Sequence, residues 1–369
     1  MLPRRLTQLT ALAVTGLFAT GCTLVGGGDG DESQATTVTL ATHDSFAVPQ
    51  RVLDDFESRS GIRIKVLNQG DAGELANKLV LTKANPVADV AYGVDSTFAS
   101  RTLAEGVFAP YAAPAASKGP QRYALDGSGE GGSGGDGSDG GSRNGSDRLT
   151  AVDVGDVCVN IDTEWFASHD VPEPRTFADL ARPRYSELLV TPSPATSSPG
   201  LAFLLATIAD QGEDGWRDYW RKLEQGGVQV VSGWTEAYTQ QFSGSSGDGP
   251  RPIAVSYASS PAAEIGEDGT PRTKALLDTC YRQVEYAGVL AGTDRSEEAR
   301  KVVDFLLSPE FQRTVAENMY VYPARSGIEL PDSWQQAAPL PDAPAQLPAD
   351  EVSAGREQWI EQWRTLHEG

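Results

Sequence analysis

Apolar residues between positions 38 and 95 switch repeatedly between a strand period and a helix period, and that order admits few folds. Val38-Thr39-Leu40-Ala41-Thr42 reads as a buried strand, and Val48, Val52, Leu53 and Phe56 fall on one helical face. Ile62, Ile64 and Val66 alternate as a strand does. Leu75, Leu79 and Val80 mark a second helix, and Ala88-Asp89-Val90-Ala91-Tyr92-Gly93 a third strand. A βαβαβ order of this kind predicts a parallel sheet with helices on both faces. Ligands of such sheets sit at the carboxyl ends of the strands. The residues there are Asp44 and Ser45, then Asp71, then Asp95.

The amino terminus reads as export machinery. Arg4 and Arg5 precede an apolar run from Leu9 to Ala19, which Ala19-Thr20-Gly21-Cys22 closes. The run fits a signal peptide over 1–21 and is too short for a stable membrane span. Small residues before a cysteine resemble a lipoprotein box, with Cys22 as the lipidated residue; an ordinary secretion signal is the alternative. Residues 22–36 then form a Gly-, Asp- and Ser-rich tether. The mature chain is expected outside the cytoplasm, touching the membrane only through its lipid. The net charge of -21 repels nucleic acid and argues against such a partner.

About 330 residues follow the leader and tether, enough for two domains. Residues 126–147 are almost entirely Gly, Ser, Asp and Asn and read as a disordered insertion. Structured sequence resumes with Asp153-Val154-Gly155-Asp156-Val157-Cys158-Val159-Asn160, a strand expected to cross between lobes. The expected division is 37–157 with 281–325 as one lobe, 158–280 as the other, and 326–369 as a C-terminal segment. Cys158 and Cys280 are an even pair in an exported chain, which points to a disulfide, with two free thiols the alternative.

In the second half, Leu188-Leu189-Val190-Thr191 reads as a strand, followed by Thr196-Ser197-Ser198-Pro199-Gly200 and a helix from Leu201 to Ile208. Open N–H groups at such a helix start attract anions, although simple N-capping by Ser197 or Ser198 is common. Strands at Val228–Val231 and Ile253–Tyr257 lead into Gly233-Trp234-Thr235-Glu236-Ala237-Tyr238 and Ser256-Tyr257-Ala258-Ser259-Ser260-Pro261. Each places a ring beside small polar groups, suited to a flat or cationic ligand; half-buried core aromatics are the alternative. Tyr281–Leu290 reads as a strand returning to the first lobe. Val352, Trp359, Ile360, Trp363 and Leu366 form a helical stripe that reads as packing.

Val303-Asp304-Phe305-Leu306-Leu307-Ser308-Pro309-Glu310-Phe311-Gln312 resembles a phrase common in bacterial extracellular solute-binding proteins. Within that group Thr42-His43-Asp44-Ser45-Phe46 resembles the "YDSF" of periplasmic thiamine-binding proteins, and Ala88–Asp95 their "ADVVLGLD". Ser197–Leu201 is similar to "STPGL", Gly233–Tyr238 to "GWSEAY" and Ser256–Pro261 to "SYTTSPA". The likeness runs from about residue 37 to the C-terminal helix, outside the 126–147 stretch.

The resemblance implies an α/β, two-lobed periplasmic-binding-protein-like fold (type II) with the ligand cleft between lobes. It implies a lipoprotein that delivers thiamine or a thiamine phosphate to an ABC permease and its ATPase, with no chemistry and no cofactor. Carried over by position, Trp234 and Tyr257 contact the ligand's rings, and Ser197 and Ser198 its hydroxyl or phosphate end. Ala258, Ser259 and Ser260 make contacts beside Tyr257, while Glu236 and Tyr238 belong to the same motif as Trp234. An acidic-Gly turn of the family aligns near Asp71 and Ala72, where this chain carries extra glycines. Tyr320 stands where the family has a Trp, and Ala195 where it has an Arg; the lost charge argues against strong preference for phosphorylated thiamine.

Thiamine is a cation with two flat rings, and Asp44, Asp95, Asp153, Glu236 and Glu285 are the carboxylates placed to attract it. A polyamine- or other cation-binding transport protein would use the same groups and is the competing reading. A thiaminase-like enzyme on the same scaffold would need Cys158 or Cys280 free and facing the cleft. Iron is disfavoured, because His43, His169 and His367 are scattered and adjacent tyrosines are lacking.

Overall fold

The computed structural model describes residues 35–125, 147–246 and 248–368. The signal peptide, Cys22, most of the tether and residues 126–146 lie outside the described residues.

Strands β1 (Thr36–Thr42), β2 (Ile62–Asn68) and β3 (Val90–Asp95) alternate with helices α1 (Gln50–Ser60) and α2 (Ala72–Leu81). β1 pairs parallel with both β2 and β3, so the first β-α-β-α-β segment forms the parallel sheet that its periodicity predicts. Alternation divides β1 and β3 between two cores. Val38, Leu40, Val90 and Tyr92 pack with Val52 and Phe56 of α1. Ala41, Ala91 and Val94 pack on the other face with Leu75 and Leu79 of α2.

The remaining strands are β4 (Thr150–Asp162), β5 (Leu189–Pro192), β6 (Gln229–Val231), β7 (Ile253–Tyr257), β8 (Thr273–Val289) and β9 (Tyr322–Pro323). The sheet runs β2-β1-β3-β8-β4-β7-β5-β6, with β9 beside β4. β4 and β8 are long antiparallel strands shared by both ends of this sheet. Their ladder slips between Val157, opposite Tyr281, and Val159, opposite Leu276. The disulfide Cys158–Cys280 lies at this slip, beside buried Ala258.

The second end of the sheet has its own cores. The helix Ser198–Gln225 buries Leu201, Leu204, Leu205, Trp216 and Trp220. It continues well past Ile208, with a break at Gly212, where φ is 73°. The C-terminal helix Ala349–Glu368 lays Val352, Trp359, Ile360 and Trp363 on the same core, and the rings of Trp220 and Trp363 meet edge to face at 5.7 Å. β8 begins at Thr273, eight residues before the strand expected from Tyr281, because its early turns of side chains are only partly buried and carry no clean alternation.

Candidate ligand cleft

Three chain segments meet where the carboxyl ends of β1, β2 and β3 face the second half of the molecule. Each begins a helix, and each helix start carries backbone N–H groups with no partner of their own. α2 starts at Asp71, whose side chain accepts from Ala72 N at 2.7 Å, while Glu74 reaches back to Asp71 N in a capping box. The helix Ser198–Gln225 has Ser197 at its N-cap, yet the Ser197 side chain makes no capping bond. Asp71 takes that role from across the cleft, accepting from Ser198 N at 3.0 Å. Its other oxygen accepts from Trp234 N, also at 3.0 Å, at the start of the short helix Trp234–Glu236. Gly73 makes this approach possible, since a Cβ there would stand 2.5 Å from the Thr196 carbonyl oxygen. Burial raises the Asp71 pKa against the pull of the Trp234 and Ser198 N–H groups.

Trp234 forms one wall. Its ring stacks on Tyr238 at 5.2 Å and stands 6.0 Å from Tyr257, tilted by 58°. Trp234 Nε1 donates to Ser256 Oγ at 2.8 Å, and Ser256 Oγ lies 2.7 Å from Ser260 Oγ. Ser260 Oγ accepts from Tyr257 N at 3.1 Å, so the linked hydroxyls of Ser256 and Ser260 tie the Trp234 indole to the Tyr257 backbone. Thr235 Oγ1 donates to Asp44 Oδ2 at 3.1 Å, a further link across the cleft.

The floor is acidic. His43 Nδ1 accepts from Ser45 N at 3.2 Å, which leaves Nε2 to donate to Glu285 Oε2 at 3.3 Å. Gly93, with φ of 98° at a bulge in β3, lets the His43 ring lie against the strand. The Tyr92 hydroxyl bridges the pair of buried acids, hydrogen-bonded to Asp153 and 3.1 Å from Glu285 Oε2. Two carboxylates this close do not both ionise. Burial and the Glu285 charge push the Asp153 pKa well up, whereas His43 and the neighbouring hydrogen bonds hold Glu285 low against its burial. Glu285 therefore carries the negative charge. His43, buried, is pushed down by desolvation but raised overall by Glu285, Asp71 and Asp44.

A cavity of about 30 Å³ lies between these groups, bordered by His43, Asp71, Ser198, Trp234, Tyr257 and Glu285. Asp44, Ser45 and Ala72 also border it. Other residues singled out from the sequence lie behind or beside it. Tyr238 is buried behind Trp234 and donates to Glu264 at 3.1 Å. Asp95 is fully buried, caps Thr97 and Phe98, and accepts the Ser198 hydroxyl. Ser197, Ala258 and Ser259 are also fully buried, and Ser259 donates to the Tyr320 carbonyl. Glu236 holds the Ser232 backbone and hydroxyl in a shallower recess. Tyr320 is 36% exposed, and its neighbours Met319 and Val321 border the cavity instead. Met319 and Val321 carried no signal in the sequence, whereas Pro199 and His43 stood in the motifs above without a role at the site.

Residues 85–348 match the family model described as bacterial extracellular solute-binding protein. The chain is 26% identical over 334 residues to a thiamine-binding periplasmic protein of Brucella suis, covering 89% of this chain and 91% of that one. It is 27% identical over 333 residues to a thiamine-binding periplasmic protein of Escherichia coli, covering 89% and 92%. A solved structure, described as a periplasmic thiamin binding protein, superposes with a TM-score of 0.74 at 26% identity, covering 90% of this chain and 96% of that chain. The architecture is the two-lobed periplasmic-binding-protein-like fold, type II. This chain belongs to the bacterial extracellular solute-binding protein family.

Proposed function

We propose that this protein captures thiamine between its lobes and hands it unaltered to an ABC permease and its ATPase. The observation that carries the reading is the meeting of Trp234 and Tyr257 at a cavity bordered by the buried carboxylates of Asp71 and Glu285. A thiazolium cation gains from ring faces and from a carboxylate in a site that excludes water. The names of the relatives agree with that chemistry. A cavity of about 30 Å³ holds one or two waters, so admission of a vitamin requires the lobes to part. The bridged Cys158 and Cys280 offer no thiolate, which weighs against a thiaminase-like reaction. Export, with Cys22 as a lipid anchor, completes the proposal.

Calorimetric titration with thiamine, thiamine phosphate, putrescine and spermidine tests it. Thiamine is expected to bind tightly. Tight binding of a polyamine with none for thiamine would move the ligand to the competing class. Trp234→Ala is expected to weaken thiamine by about 1–3 kcal/mol through lost stacking and burial. Unchanged affinity would remove Trp234 from the site.

A further inference from the structure

A second recess shares no residue with the cleft and gathers positive charge. The short helical turns Pro114–Lys118 and Pro120–Tyr123 meet at Gly119, whose φ is 135°. A Cβ at Gly119 would run into the Ala324 carbonyl oxygen, so glycine lets this turn lie against residues 324–326. Ser326 N donates to the Lys118 carbonyl at 2.8 Å and closes the contact. Lys118, Arg122 and Arg325 thereby border one recess of about 680 Å³, together with Ser117 and Ser326. Among the described residues no Asp or Glu borders it. That is notable in a chain with 51 acidic residues against 30 basic ones. The guanidinium groups are oriented without being neutralised. Arg122 Nη2 donates to Ser326 Oγ at 3.0 Å, and Arg325 Nη1 donates to the Leu307 carbonyl at 2.9 Å. Arg325 N donates to Gln312 Oε1 at 3.0 Å, and that fully buried side chain is itself held by the Val152 and Leu306 carbonyls. The Lys118 ammonium has no partner among the described residues.

We propose that this recess binds the phosphate group of a larger molecule, a soluble phosphoester or a phospholipid headgroup, independently of whatever the cleft holds. Two guanidinium forks match the oxygens of a phosphate, and the ammonium adds a point charge on a flexible stem. The hydroxyls of Ser117 and Ser326 supply further donors. The volume lies in the range of small-molecule sites and exceeds what one phosphate fills, so the phosphate is one end of the ligand. A net charge of -21 repels anions from the surface at large, which confines their binding to a place where cations cluster.

The test compares wild type, Lys118→Glu and the double variant Arg122→Gln, Arg325→Gln, each checked for folding by circular dichroism. Thermal melts are run with glycerol 3-phosphate and with chloride at matched ionic strength. Sedimentation with vesicles of phosphatidylglycerol in phosphatidylcholine, and of phosphatidylcholine alone, supplies the lipid arm. In wild type, a Tm raised by millimolar glycerol 3-phosphate above the chloride value marks a soluble phosphoester as the ligand. Co-sedimentation that depends on phosphatidylglycerol marks a headgroup. Whichever response wild type gives is expected to weaken roughly tenfold in Lys118→Glu and to vanish in the double variant. Lys118→Glu alters an exposed side chain without a partner among the described residues, so it decides the matter if the double variant does not fold. A wild type that answers the phosphoester no more than chloride and ignores phosphatidylglycerol overturns the proposal. So does an equal response in all three proteins, which would put the anion elsewhere on the molecule.

Discussion

Replacing Cys158 and Cys280 together by alanine is expected to lower the unfolding free energy by about 3–5 kcal/mol. The bridge joins residues 122 apart in sequence. Cutting it restores to the unfolded chain the freedom of a long loop. Both cysteines are buried beside Ala258, so alanine introduces no unsatisfied polar group. The local context adds to the effect, because the β4–β8 ladder loses register at this point and backbone pairing alone holds it less firmly. Guanidinium unfolding of the oxidised protein, the reduced protein and the double variant measures the loss. Reduced wild type should coincide with the variant, and both should unfold at clearly lower denaturant. Equal midpoints for oxidised protein and variant would show that packing, not the bridge, secures this region.

Stability is also expected to decline as pH rises from 5 to 8. Burial lifts Asp95 from 3.8 to about 7, against the hydrogen bonds of Thr97 and Phe98. The native state therefore holds this proton more tightly than the unfolded chain does. Its contribution to stability is complete below pH 3.8, shrinks as pH climbs and is gone above about 7. Asp71, Asp153 and Asp156 are raised by burial and act in the same direction. So does His43, whose raised pKa gives a contribution present below 6.5 and lost as pH passes the native value. Only a lowered Glu285 opposes them among these groups, and its window lies below 4.5. Asp95→Asn keeps an acceptor for Thr97 and Phe98 and removes the ionisation. Relative to wild type it should gain roughly 3 kcal/mol between pH 5 and pH 8. Urea unfolding at the two pH values measures this, and parallel profiles for the two proteins would mean that Asp95 titrates normally.

The cleft was legible from the sequence where a short segment carries its own chemistry. Trp234, Tyr257 and Asp71 stand at the ends of strands, and the period of the apolar residues before them fixes where those strands end. Other roles depend on distant partners. Asp71 and Trp234 are 163 residues apart, and nothing local in either marks the bond between them. Asp95 and Tyr238 flank the cleft in sequence but turn inward, one to cap Thr97 and Phe98 and the other to support the Trp234 ring. Met319 and Val321 are apolar residues at a helix end and read as packing until the fold brings them to the cavity. The helix Ser198–Gln225 was visible only to Ile208, because the polar Asp210–Gly215 stretch hides its continuation to the buried Trp216 and Trp220. The C-terminal stripe was plain, since one helical face carries nearly all of its apolar residues.

Where β4 and β8 slip past one another beside the sulfur bridge, the two strands work as a leaf spring joining a pair of jaws. The covalent link between Cys158 and Cys280 opposes sliding of one strand along the other, whereas a bend of the pair does not stretch it.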